Sequence, residues 1–262
     1  MKLTKLPRFE RGLLMPVFIR GVWLALFLIA IWQCIVVMWQ PPSYLLPSPL
    51  QVFRSFIVHR ELIATQTLPT LVETLLGLSC AILLGTSLAL SMCLCRSIDF
   101  LLHPLLLISQ ALPVFAIAPL LVIWFGYGVT AKIATTTLML FFPITSNFLD
   151  GLKQTPQAYL DGALLMEGNR WQILYRIRIP AALPQLASGI RLVAAMAPLG
   201  AVIGEWVGSN QGLGFLLLSS NAQMQIDLMF AVLWVLILLS TVIYFLVDRL
   251  LYRATPWLLI GK

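Results

Sequence analysis

The sequence predicts an all-α integral membrane protein with six transmembrane helices, and three observations carry that prediction. The composition is 60% hydrophobic and only 10% charged, where soluble domains carry roughly a quarter of their residues as charges. Mean hydropathy is +0.94. Apolar runs, each near the ~20 residues that a helix needs to cross hydrocarbon, recur six times along the chain. A net charge of +7 does not point to nucleic acid, because the basic residues are scattered and flank the apolar runs.

The runs fall at 21–39, 67–94, 102–125, 131–149, 187–207 and 228–248. The first follows Lys2, Lys5, Arg8 and Arg11 and so mimics a secretory leader. It is longer than the roughly 7–15 apolar residues of a leader and lacks a small-x-small cleavage site, so it is expected to remain as span 1. With the N-terminus in the cytoplasm, 14 of the 17 lysines and arginines lie inside, leaving only Arg54, Arg60 and Lys132 outside. That bias places both termini in the cytoplasm of a multi-pass protein of the bacterial inner membrane.

After span 1, Ser48-Pro49-Leu50-Gln51 reads as a helix start, with serine at the cap, proline in the first turn and glutamine three residues on. Val52, Phe53, Phe56 and Ile57 then share a face, as in a helix lying on the outer membrane surface. Residues 1–66 thus form an N-terminal region, 67–250 a core and 251–262 a cytosolic tail. Within the core, Gly77, Ala81, Gly85 and Ala89 make one small-residue ridge, and Gly200, Gly204 and Gly208 another. Such ridges let membrane helices approach closely. Pro104, Pro113, Pro119, Pro143 and Pro198 are expected to kink or open the spans that hold them.

The chemistry is mostly negative. There is no G-x-x-x-x-G-K-[ST] loop, so the chain is not expected to hydrolyse ATP itself. Cys34, Cys80, Cys93 and Cys95 read as buried reduced thiols, and His59 and His103 are isolated. No cofactor, metal or catalytic residue is expected.

The polar exception is the segment 150–186. Thr155-Pro156 starts a helix, Gly168-Asn169 stops it and caps a second, Pro180 ends the second and Pro184 opens span 5. Two helices this short need a surface to pack on. Either they fold back as a polar connector, or Ala163, Leu164 and the turn enter a groove of another protein. Physics alone leaves both open.

The spacing resembles the cytosolic signature of binding-protein-dependent ABC importer permeases: E-A-A, three residues, G, nine residues, I-x-L-P. Asp161-Gly162-Ala163 holds the triplet, Glu167 the glycine position and Ile177-Arg178-Ile179-Pro180 the ending. The sequence departs at Asp161, Gly162 and Glu167, with Gly168 one place late. Tyr44–Pro49, Ala118–Gly126 and Gly212-Leu213-Gly214 are similar to the nitrate, sulfonate and taurine branch. Ala197–Gly208 and Met224–Phe230 look most like permeases for hydroxymethylpyrimidine, a thiamine precursor. The resemblance implies a MetI-like permease fold with cytosolic coupling helices between spans 4 and 5. It also implies a permease homodimer, two ATP-binding subunits and an extracytoplasmic binding protein. Asp161, Gly162, Ala163, Leu164, Glu167, Gly168 and Pro180 would contact the ATPase. The alternative substrates are sulfonates, taurine or nitrate. A secondary carrier is the more distant alternative, and carriers usually show internal repeats and paired mid-depth charges, neither of which is seen.

Two carboxylates, Glu73 and Glu205, fall within the spans toward the outer side, with no lysine or arginine expected near mid-depth. An ionisable group there is a functional candidate. Glu205 either caps a turn at the membrane boundary or lines the outer mouth of the pathway, held near its dimer mate by the Gly200–Gly204–Gly208 ridge. Asn147 and Gly204 join these two as pathway candidates. An acidic pathway without fixed positive charge suits a neutral or weakly cationic aminopyrimidine better than an anion.

Overall fold

The computed structural model describes residues 10–254, with the backbone alone for residues 10–20, 22, 110 and 254. Lys2, Lys5, Arg8 and most of the 251–262 tail lie outside the described residues. The chain divides into two units: Met1–His59 with Ser220–Ala231, and Arg60–Ser219 with Val232–Lys262.

In the first unit, α1 (Glu10–Trp39) contains the apolar stretch Trp23–Trp39. It is followed by α2 (Pro49–Val58), which opens on the expected box. The Ser48 hydroxyl accepts from the Gln51 N–H at 3.3 Å, and Gln51 Oε1 accepts from the Ser48 N–H at 2.8 Å. Trp32 packs on Phe230 with ring centroids 5.5 Å apart.

The second unit begins with α3 (Arg60–Leu94), α4 (Arg96–Ala111), α5 (Val114–Phe125) and α6 (Val129–Lys153). Next come α7 (Gln157–Leu165), α8 (Arg170–Ile173), a π turn over Leu174–Arg178 and α9 (Ile179–Gly208). Last are α10 (Leu213–Ala222) and α11 (Ile226–Ala254), which both cross between the units. Among the described residues, four stretches are long and apolar enough to cross a membrane: Arg60–Leu94, Val129–Lys153, Arg170–Gly208 and Ile226–Arg253. The run expected as span 3 is instead a bent pair, Arg96–Ser109 and Val114–Phe125, turning through 108°. The cause is local. Pro113 has no N–H to continue α4 and forces Leu112 into extended backbone, at φ −82° and ψ 120°.

Helix α6 is the centre of this unit, between α3 and α9. Both small-residue ridges pack on it. A Cβ at Gly77 would lie 2.5 Å from Thr136 Cβ, and one at Gly200 3.1 Å from Thr136 Cα. At Gly204 it would meet Lys132 Cα at 2.9 Å, and at Gly208 it would meet Val122 of α5 at 2.8 Å. The second ridge therefore faces the chain's own helices. This corrects the expectation that it holds a dimer mate: α6 already fills the close approach that the glycines permit. Leu140, Phe141, Ile144, Phe148 and Leu149 of α6 form the buried core with Leu78, Ala81 and Met92 of α3 and Val193, Ala194 and Ala197 of α9. Helix α11 is tied to α9 by the Ser240 hydroxyl, which donates to the Ala195 carbonyl, and by an Arg191–Asp248 ion pair at 2.5 Å.

Two further expectations change. Pro180 does not end a helix, because α8, the π turn and α9 run on without a break. The π turn shifts the hydrogen-bond register just ahead of Pro180, where the ring has no N–H to give. All four cysteines are free, but only Cys93 is partly buried; Cys34, Cys80 and Cys95 lie on the protein surface. In a membrane protein the lipid, as well as the core, supplies an apolar setting for a thiol.

Candidate functional site

Two groups of residues stand at opposite ends of the α6–α9 pair. The first is the turn between those helices. Helix α7 follows Pro156 and ends in a Schellman arrangement: the Glu167 N–H donates to the Leu164 carbonyl at 3.0 Å and the Gly168 N–H to the Ala163 carbonyl at 2.9 Å. The left-handed residue of this motif is Glu167, at φ 56°. The stop thus lies one residue before Gly168, at the place where the permease signature has glycine. Gly168 is needed for a different reason, since a Cβ there would sit 2.8 Å from the Ala163 carbonyl oxygen. Asn169 then caps α8 in a second box, its Oδ1 accepting from the Gln172 N–H at 2.8 Å.

This turn exposes a continuous apolar tip: Leu164 is 61%, Leu165 86% and Met166 84% exposed. Behind the tip a groove of ≈ 560 Å³ runs between α7 and the start of the α8–α9 helix, lined by Gly162, Ala163, Met166, Gln172 and Ile177 among others. Asp161 is exposed and accepts from Gln157 Nε2 at 3.1 Å. Nothing lies within 4 Å of a Cβ added at Gly162, so an alanine there, as in the signature, would fit. Pro180 stands in the first turn of α9.

The second group joins the far ends of α3, α6 and α9 to the start of α10. Three successive N–H groups at the α10 N-terminus each find an acceptor. Gly212 donates to Gln66 Oε1 at 2.6 Å, Leu213 to Thr70 Oγ1 at 2.8 Å and Gly214 to Glu205 Oε2 at 2.5 Å. Thr70 in turn donates to Glu205 Oε1 at 2.6 Å. A carboxylate at a helix N-terminus is stabilised by the partial positive charge of the unpaired N–H groups. The geometry also explains the Gly212-Leu213-Gly214 run. Gly212 takes φ 109°, and a Cβ on Gly214 would lie 2.7 Å from Glu205 Oε2.

Lysine 132 completes this group, and the sequence reading missed it. Placed outside by charge counting, it is buried at the fourth position of α6, where its ammonium contacts Glu73 Oε1 and donates to Ser209 Oγ at 3.0 Å. Glu73 and Glu205 are each 1% exposed. The expectation of carboxylates without a nearby cation is therefore corrected, because burying Glu73 needs a paired charge. The available signal was position: Lys132 opens span 4 at the depth where Glu73 and Glu205 sit in theirs. Asn147 lies elsewhere on α6, half-buried, its amide donating to the Pro143 carbonyl at 2.7 Å and its Cβ against Gly189. Gly204 packs on Lys132. A pocket of ≈ 430 Å³ opens beside Lys132, lined also by Tyr127, Ser209, Asn210 and Gln211.

Comparison with known proteins places this architecture. Residues 81–259 match the family model described as the binding-protein-dependent transport system inner membrane component. A probable ABC transporter permease protein of Haemophilus influenzae is 48% identical over 221 residues, covering 84% of this chain and 90% of that one. The formylaminopyrimidine transport permease protein ThiX of Halalkalibacterium halodurans is 37% identical over 230 residues, covering 85% and 92%. Among solved structures, a chain of the MetNI methionine ABC transporter in an inward-facing conformation aligns with a TM-score of 0.63 at 20% identity, over 75% of this chain and 97% of that one. The shared fold, the matched family region and relatives of this similarity agree: the chain belongs to the inner-membrane permease family of binding-protein-dependent ABC importers.

Proposed function

We propose that the chain works as a homodimer with two separate ATP-hydrolysing subunits, which seat on the α7 turn from the cytoplasm. An extracytoplasmic binding protein delivers solute at the α10 end, and both termini lie inside. The observation that carries this reading is the Leu164–Met166 tip, an apolar surface on an otherwise polar turn between two spans, in the register of the permease signature. Asp161, Gly162, Ala163, Leu164, Glu167 and Gly168 form the docking element, and Pro180 sits where it joins α9.

The helix connections suggest how motion travels. Only residues 154–156 separate α6 from α7, and α8 continues through the π turn into α9. A displacement of the turn by closing ATPase subunits would move α6 and α9 together. Their far ends hold Lys132 and Glu205, so opening there works against the ties to Glu73, Thr70 and Gln66. The network acts as the closed latch of a two-state gate. In this account Glu73, Glu205 and Gly204 shape the pathway by holding the latch, with Asn147 further along α6.

For the solute we infer a hydroxymethylpyrimidine-type thiamine precursor, supported by the 37% identity to a permease named for formylaminopyrimidine. Lys132 offsets the charge of Glu73, so the pathway is not purely acidic. The test is ATP-dependent uptake in cells expressing the chain with its ATPase and binding protein. Labelled hydroxymethylpyrimidine should accumulate and taurine should not. Taurine accumulation without pyrimidine uptake would overturn the solute assignment, and ATP-independent uptake would overturn the importer.

A further inference from the structure

A basic pocket lies where α3 ends against the α8–α9 helix, beside the groove behind the α7 turn, with which it shares Ile173. A pocket of ≈ 220 Å³ is lined by Cys93, Leu94, Arg170, Ile173, Leu174 and Arg178. Two arginines line it and no carboxylate does. Among the described residues neither arginine takes part in an ion pair. Arg178 Nη1 donates to Cys93 Sγ at 3.2 Å, a weak acceptor, and its Nε is shut off from solvent with no acceptor at all. A guanidinium left so poorly satisfied in a half-buried site calls for an anion with several oxygens, which phosphate offers in the geometry a guanidinium prefers.

The position selects the source of that phosphate. Leu94 is the last residue of the apolar α3, and Arg96 opens the next helix, so the pocket stands where the chain leaves hydrocarbon. Its rim pairs the exposed Leu94 with the guanidiniums. An acyl chain beside a phosphodiester matches that pairing, whereas a free phosphate would use only the charge. We propose that Arg170 and Arg178 hold the headgroup phosphate of an anionic phospholipid between α3 and the α8–α9 helix.

Native mass spectrometry of the permease–ATPase complex, titrated with phosphatidylglycerol or phosphatidylcholine, tests this. Wild type should retain phosphatidylglycerol about tenfold more than phosphatidylcholine, because both present the same phosphodiester but the choline cation of the second is repelled by the arginine pair. Arg178→Gln should remove that preference and Arg178→Lys should keep part of it. Should Arg178→Gln fail to assemble, Arg170→Gln, at the exposed rim, should still weaken the preference. Equal retention of both lipids by wild type would overturn the proposal, as would an unchanged preference in R178Q or in R170Q. Displacement of phosphatidylglycerol by millimolar inorganic phosphate would assign the site to a free anion and overturn the lipid.

Discussion

Replacing Glu205 with alanine separates a structural carboxylate from one that handles solute. The side chain accepts from the Thr70 hydroxyl and from the Gly214 N–H, both within a buried cluster. Its removal strands two donors, each at about 1–3 kcal/mol. It also removes a negative charge from the α10 N-terminus, worth a further ~0.3–1 kcal/mol. The expected loss is about 2–7 kcal/mol, or about 5–28 °C in Tm at roughly 2–4 °C per kcal/mol for a chain of this size. Glu205→Gln keeps one acceptor oxygen and should lose only about 1–2 kcal/mol. Thermal unfolding of purified protein in detergent, followed beside uptake at matched membrane levels, reads both. A Tm for E205A within ~1 °C of wild type would refute the capping argument, and abolished uptake in that stable variant would return Glu205 to the solute pathway.

Lys132→Met should destabilise by about 3–5 kcal/mol, because it leaves Glu73 buried and unpaired; thermal unfolding should show most of that loss recovered in the Lys132→Met, Glu73→Gln double variant. Glu167→Gly relieves a left-handed backbone at the end of α7 and should raise stability by about 1 kcal/mol, read as a higher Tm with ATPase coupling intact. Gly77→Val forces side-chain atoms into Thr136 at the α3–α6 crossing, and a loss of at least about 1–3 kcal/mol should appear as poor membrane yield or early melting. An impermeant thiol reagent applied to intact cells should label Asn210→Cys and spare Cys93 and Cys95; labelling of the native pair instead would reverse the proposed orientation.

What the sequence made legible was local. The Ser48–Gln51 capping box and the Asn169 cap are written in neighbouring residues and need no tertiary partner, although the return bond from Gln172 that completes the second box was not read. Apolar runs located the long spans for the same reason. Pairing across the fold was hidden. Lys132 and Glu73 are separated by 59 positions, and nothing short of their shared depth in the membrane joins them. The Gly200–Gly204–Gly208 ridge announces a close approach without saying to what. Proline was ambiguous as well: Pro113 breaks a span, while Pro180 is absorbed by a π turn that no residue pattern signalled. The left-handed turn residue was placed one position late, because Gly168 looked like the stop while Glu167 takes the conformation.

The account rests most heavily on the α7 turn as the element that receives ATP-driven motion. Arginine at the half-buried Ala163, in the groove behind the apolar tip, adds bulk and charge where a docked partner leaves little room, while without a partner the open groove leaves the longer side chain space to reach solvent. The deciding measurement is co-purification of the ATPase subunit, with uptake, for wild type and Ala163→Arg at equal membrane levels. The account predicts a folded, inserted variant with an unchanged Tm that no longer retains the ATPase and no longer accumulates solute. A variant that retains the ATPase and transports at the wild-type rate would contradict it.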